Sequence, residues 1–329
     1  MKIAFFALRK FDELELCKEF SKKYNIDFIW TNEYPNKENL SLAKNCDAIS
    51  IVPCLITKDY IDEFISYGIK YILCRSIGYD HLPIEHIKEK GLKVSSSSYP
   101  PNCVADYAIM MILMCARKMN QILIRSMAQD YSLRGKMGKD ICDCTIGVIG
   151  TGNIGSTVIK HLSGFGCKIL AYNKFGENEE LKKYADYVDI ETLYKESDII
   201  TLHVASNSET FHMINNETIN KMKDGVIIIN TARGNLIDSK ALIENLKNGK
   251  ISAAGLDVIE DENGLYYYNR SSEVIDNDEL SMLRSFPNVI LTPHTAFYTY
   301  TTVSNMIEKS FLAMKNYKEG KINPFEVKI

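Results

Sequence analysis

The chain has 329 residues, 46% hydrophobic and 25% charged, with a net charge of −3. That length favours two domains over a single core, and that charge gives no footing for a nucleic-acid partner or an anionic membrane. Nine scattered cysteines without zinc spacing point to reduced thiols in a cytoplasmic protein, with no metal site; residues 1–6 are too short an apolar run for a signal peptide, and residues 107–116, the longest such run, are too short to span a bilayer.

In chain order, strands are expected at residues 2–7, 27–31, 48–52, 71–76 and 93–97, with helices at 11–24, 59–67 and 83–90 between them. Apolar runs alternating with helical periodicity imply a parallel sheet covered on both faces. Pro100-Pro101-Asn102 then interrupts the pattern. Residues 104–127 read as one long helix crossing between two domains, and 130–139 as a loop.

A second set begins at residues 145–149, a buried strand followed at once by Gly150-Thr151-Gly152-Asn153-Ile154-Gly155. A helix over 156–165 and a strand over 167–172 complete a βαβ unit of about thirty residues, the size of a dinucleotide-binding motif. Gly150 permits the turn, Gly152 lets a pyrophosphate approach the backbone, and Gly155 lets the helix lie close on the sheet. The helix N-terminus offers free N–H groups and its positive dipole end. A carboxylate for the adenosine ribose is expected about twenty residues on; Asn173 stands there, followed by Lys174. Asn does not repel a 2′-phosphate, so NAD is expected with NADP possible. Residues 174–189 read as irregular. Helices follow at 191–197, 216–224, 239–248 and 301–317, with strands at 198–204, 226–230, 251–258 and 289–293.

Ligands of an open parallel sheet lie off the carboxyl ends of its strands. Arg233 follows the strand at 226–230, Glu260 and Glu262 follow 251–258, and His294 follows 289–293. A guanidinium can hold a substrate carboxylate with two parallel hydrogen bonds. An imidazole can give a proton to a carbonyl oxygen or take one from a hydroxyl. A carboxylate beside it fixes its orientation and favours its charged form. Position alone does not choose between Glu260 and Glu262.

At these residues the sequence resembles the D-2-hydroxyacid dehydrogenase family. The likeness rests on residues 75–81, Tyr99-Pro100-Pro101-Asn102, the glycine turn, residues 230–234, Leu256-Asp257-Val258 and Thr292-Pro293-His294-Thr295-Ala296. Within the family it points to D-lactate dehydrogenases, including the type associated with vancomycin resistance. The resemblance implies Arg233 as substrate anchor, His294 as acid/base and Glu262 as its partner. It implies Gly150, Gly152, Asn153, Ile154 and Gly155 at the pyrophosphate and Asn173 at the ribose. Val204, Ala205, Thr231, Ala232 and Asp257 would line the rest of the dinucleotide. Ser76, Ile77, Gly78 and Tyr99 would meet the substrate.

The fold it implies is α/β, two doubly wound parallel-sheet domains, with a Rossmann cofactor domain (101–296) inserted in a smaller flavodoxin-like substrate domain (1–100 and 297–329). A homodimer through the cofactor domain is expected. Pyruvate is the first substrate expected, with 2-oxoisocaproate or aromatic 2-oxo acids as alternatives and a formate or glycerate dehydrogenase behind them. A dinucleotide-sensing regulator of the same fold is the non-enzyme alternative. Residues 265–268, Leu-Tyr-Tyr-Tyr, could wall a substrate pocket or belong to an interface or half-exposed loop.

Overall fold

Strands that are apolar at every position must be buried on both faces, and helices on either side of a parallel sheet provide that burial. The computed structural model describes residues 1–262 and 264–328. They divide into two units, one made of residues 1–100 with the segment from Tyr298 onward, the other of Pro101–Phe297.

In the first unit, β1 (Lys2–Phe5), β2 (Asp27–Trp30), β3 (Ala48–Ile51), β4 (Tyr71–Cys74) and β5 (Lys93–Ser95) form a sheet of order β2-β1-β3-β4-β5. Every pairing in it is parallel. The connecting helices are α1 (Leu14–Tyr24), α2 (Lys58–Ser66) and α3 (Ile84–Glu89). One face buries Ala4, Phe6, Ile49 and Ile72 against Ile61, Phe64 and Ile87. On the other, the Phe5 ring meets Phe28 at 5.9 Å and Phe311 of the helix Tyr300–Lys318 at 5.6 Å. That last helix is capped by Thr299, whose hydroxyl accepts from the Thr302 N–H.

Arg75, just after β4, is the largest side chain in this unit to be fully buried. Its guanidinium donates to the carbonyls of Ser50 (3.1 Å), Phe6 (2.8 Å) and Ala7 (3.0 Å). The buried Glu13 carboxylate lies 3.3 Å away. The same carboxylate accepts from the Arg9 backbone N–H. One charge therefore ties the carboxyl ends of β1, β3 and β4 together at the point where the strand order reverses.

The second unit begins with α4 (Asn102–Ala116) and α5 (Met119–Met127). The single helix expected over 104–127 is thus two, bent by 63°. Lys118 sits at φ 54°, and the 138–139 backbone crosses the end of α4. Lys139 N–H takes the Ala116 carbonyl at 2.9 Å, and a Cβ on Gly138 would lie 2.6 Å from that same oxygen. No single helix among the described residues is long and apolar enough to cross a membrane.

Beyond α5 the order is β6 (Thr145–Ile149), α6 (Asn153–Leu162), β7 (Lys168–Tyr172), β8 (Asp186–Tyr187), α7 (Ile190–Glu196) and β9 (Ile199–Leu202). Then come α8 (Asn216–Lys221), β10 (Val226–Asn230), α9 (Ser239–Lys247), β11 (Ile251–Leu256), α10 (Asp278–Ser285) and β12 (Val289–Leu291). The parallel sheet has the order β12-β11-β10-β9-β6-β7-β8. Alternate residues of one strand serve opposite cores: Ile227 and Ile229 pack with α4 and α6, Val226 and Ile228 with α7, α8 and α9. This is the doubly wound arrangement expected.

Of the strands and α-helices given above, two have no counterpart in the sequence reading. β8 extends the sheet by two residues inside the stretch read as irregular. α10 starts where Asn277 accepts from the Leu280 N–H, with Asp278 and Glu279 in its first turn, an N-terminal signal that was present and unread.

Arg75→Met would leave three strand-end carbonyls without their donor and the buried Glu13 carboxylate with Arg9 alone, 3.2 Å away, and should lower stability by about 3–5 kcal/mol. The expected result is a lower urea midpoint.

Candidate active site

The glycine turn links β6 to α6. Gly150 adopts φ 93°, and a Cβ there would fall 2.6 Å from the His203 carbonyl oxygen. A Cβ on Gly155 would fall 1.9 Å from the Gly150 carbonyl oxygen, while around Gly152 there is nothing within 4 Å. Two glycines therefore permit close backbone packing, and the middle one faces open space at the start of α6. That space, beside the first N–H groups of Asn153 and Ile154, fits a pyrophosphate. The Thr231 hydroxyl, just after β10, is buried with no hydrogen-bond partner among the described residues, a polar atom that a ligand could satisfy.

At the end of β7, Asn173 donates through Nδ2 to the Gly176 carbonyl at 2.8 Å. Lys174 is ion-paired with Glu209. Val204 lies against the glycine turn, and the carbonyl of exposed Ala205 accepts from Thr210. His203, bonded to Thr201 at 2.9 Å, is held by desolvation at a pKa of about 3. It stays neutral behind the turn.

β10, β11 and β12 are adjacent and parallel, so the loops after them lie side by side. His294 Nδ1 meets Glu262 Oε1 at 2.6 Å, with the two side chains 21% and 23% exposed. The second Glu262 oxygen accepts from the Ile259 N–H at 3.3 Å. Glu260 is placed elsewhere: its carboxylate takes His212 at 2.6 Å and the Ser239 N–H at 2.9 Å. The ambiguity between the two acids is thereby resolved by contact. Arg233 is half-buried at the end of β10, its Nη1 donating to the Ala232 carbonyl and its own carbonyl accepting from Asn230. A Cβ on the next residue, Gly234, would lie 2.0 Å from the Ile259 backbone. The loop of Arg233 thus packs directly on the loop of Glu262.

Asp257, expected along the dinucleotide, has a carboxylate fully committed within the protein. It is 0% exposed. It accepts from the Thr292 hydroxyl (2.6 Å), the Thr295 N–H (2.8 Å) and the Ala296 N–H (2.8 Å). Its carbonyl takes the His294 N–H at 2.7 Å. The loop is held so tightly that His294 adopts φ 53°. This positioning was missed in the sequence, although an acid ending an apolar strand and a hydroxyl-rich loop were both visible. Burial, with the Glu262 and Asp257 carboxylates beside it, keeps the Tyr266 phenol above its ordinary pKa.

The first unit carries the other expected residues. Ser76, Ile77 and Gly78 follow β4, where the Ser76 hydroxyl donates to the Gly78 carbonyl at 2.6 Å and the Ser76 carbonyl accepts from Ser97. Tyr99 is half-buried beyond β5.

The profile of the family described as "D-isomer specific 2-hydroxyacid dehydrogenase, NAD binding domain" matches residues 109–296. An aromatic 2-oxoacid reductase from Clostridium sporogenes is 42% identical over 97% of this chain and 96% of its own. A D-lactate dehydrogenase from Escherichia coli is 33% identical over 99% and 100%. The solved structure of a D-lactate dehydrogenase from Treponema pallidum superposes with a TM-score of 0.89 at 28% identity, covering 100% of both chains.

Two outcomes are expected. The folded pKa of His203, about 3, lies below its ordinary 6.5, so on acidification the unfolded chain takes up the proton first. Stability from this group is complete above pH 6.5 and is lost between there and pH 3, by up to about 1.4 kcal/mol per unit. Urea titrations at pH 7.5 and 5 should show His203→Gln flattening that slope. Asp257→Asn replaces one acceptor with a donor facing N–H groups. Steady-state kinetics should give a kcat lower by about 10–100-fold.

Proposed function

The chain belongs to the D-isomer specific 2-hydroxyacid dehydrogenase family, oxidoreductases that act on CH–OH groups with a nicotinamide dinucleotide, and from this we propose that it reduces a small 2-oxo acid, pyruvate first, to the D-2-hydroxy acid. The observation that carries the reading is the 2.6 Å contact between His294 and Glu262, on a loop neighbouring that of Arg233.

In this reading Gly150, Gly152, Gly155, Asn153 and Ile154 hold the pyrophosphate, and Asn173 the ribose. Val204, Ala205, Thr231 and Ala232 line the remainder, while Asp257, fully buried with both backbone groups bonded within the protein, acts from behind by holding the His294 loop. The nicotinamide, when bound, supplies the hydride that reaches C2. Arg233 anchors the substrate carboxylate through paired N–H donors, with Ser76, Ile77, Gly78 and Tyr99 supporting the substrate. His294, its Nδ1 occupied by Glu262, delivers a proton from Nε2 to the carbonyl oxygen. Glu262 keeps the ring oriented and offsets its positive charge.

NADH is proposed over NADPH because Glu209 pairs with Lys174. That carboxylate counters the cation that would otherwise draw a 2′-phosphate. A homodimer through the second unit is proposed because α5 buries none of its residues and Leu123, Ile124 and Met127 stand exposed along it. A cytoplasmic setting agrees with nine cysteines that form no disulfide. Aromatic 2-oxo acids are a second reading, supported by the Clostridium relative's named activity.

Pyruvate, 2-oxoisocaproate and phenylpyruvate assayed with NADH and NADPH test the proposal. The expected result is steady oxidation of NADH faster than NADPH. His294→Gln should cut kcat by about 10²–10⁴-fold with dinucleotide affinity retained. No turnover with any 2-oxo acid would favour a dinucleotide-sensing regulator.

A further inference from the structure

The loop after β11 reaches His294 twice. Glu262 meets the imidazole, and five residues later the Tyr267 hydroxyl donates to the carbonyl oxygen of the same histidine at 2.9 Å. The return is made by a turn in which the Glu262 carbonyl accepts from the N–H groups of Leu265 (3.0 Å) and Tyr266 (3.2 Å). Arg270, donating to the Gly264 carbonyl at 2.6 Å, ties the far side of the loop back.

Both residues in the second contact have left-handed backbones, φ 70° at Tyr267 and φ 53° at His294. Bulky side chains seldom take that conformation unless their surroundings impose it. Around His294 the imposing contacts can be named. Its N–H is held by the Asp257 and Thr292 carbonyls at 2.7 and 3.0 Å. Its ring nitrogen is held by Glu262, and its carbonyl by Tyr267. Without the last, the peptide between His294 and Thr295 is held on one side alone, by the Thr295 N–H on the Asp257 carboxylate at 2.8 Å, so its carbonyl can tilt and the imidazole shifts with it. Tyr267 is 50% exposed, and its ring, 6.2 Å from the imidazole centroid, also falls within the range of an aromatic pair. A Phe at this position keeps the ring and removes only the hydroxyl bond.

We infer that Tyr267 is a positioning residue for proton transfer: its hydroxyl holds the His294 backbone in the left-handed conformation that aims Nε2 at the substrate oxygen. The inference rests on His294 being the acid/base proposed above.

The test uses the full-length protein with pyruvate and phenylpyruvate. Wild type, Tyr267→Phe and Tyr267→Leu are compared for kcat, KM, thermal midpoint and the primary isotope effect with deuterated NADH. Removing the hydroxyl should lower kcat by about 10–100-fold on both substrates and leave both KM values within about 2-fold. The isotope effect should rise as chemistry becomes limiting, already in Tyr267→Phe, with Tyr267→Leu at least as impaired. Wild-type kcat in Tyr267→Phe overturns the inference, whatever its thermal midpoint. So does a pattern in which only Tyr267→Leu changes, and only in KM or in the ratio between substrates, because the ring would then be meeting substrate directly. Failure of the underlying reading shows in other proteins: an inactive wild type or a fully active His294→Gln.

Discussion

A buried carboxylate must be met by donors, and Asp257 finds all of its donors in one short loop. The Thr292 hydroxyl and the N–H groups of Thr295 and Ala296 converge on it, and its carbonyl takes the N–H of His294. Leaving any of these groups unpaired away from water would be costly. The loop after β12 is therefore bound to the end of β11, and His294 has little freedom in where it points. The His294–Glu262 contact follows from this, because Glu262 lies on the continuation of the same strand.

The glycine turn is governed by sterics rather than charge. Gly150 and Gly155 stand where a side chain would collide with backbone oxygens, whereas Gly152 faces open space. Together they let α6 start directly off β6 with its N-terminal N–H groups uncovered. His203 behind the turn is kept neutral by desolvation, so the positive character at the turn comes from the helix N–H groups alone.

In the first unit the comparable knot is Arg75. A guanidinium with several fixed donors can satisfy three strand-end carbonyls and one carboxylate together, which suits a crevice where adjacent strand ends diverge. Ser76, Ile77 and Gly78 follow directly, so the backbone proposed to meet a substrate begins at one of the most restrained residues of that unit.

Much of this was legible in one dimension. Continuous apolar runs alternating with helical periodicity point to parallel, doubly covered sheets, because the helix between successive strands both makes the crossover and covers a face. The glycine spacing and the Arg, Glu and His after three separate strands are likewise local facts. The rest depended on contacts between residues far apart in the chain. Glu260 and Glu262 are equivalent by position, and they part only because His212 and Ser239 claim the first while His294 claims the second. The helix read as continuous over 104–127 breaks because the 138–139 backbone takes the Ala116 carbonyl. The resemblance places Asp257 along the dinucleotide, and its hold on the 292–296 loop emerges only when the fold lays that loop across it. Periodicity and steric type are carried by neighbouring residues and so determine strands, helices and turns; which side chain meets which partner is decided only when distant strand ends are brought side by side.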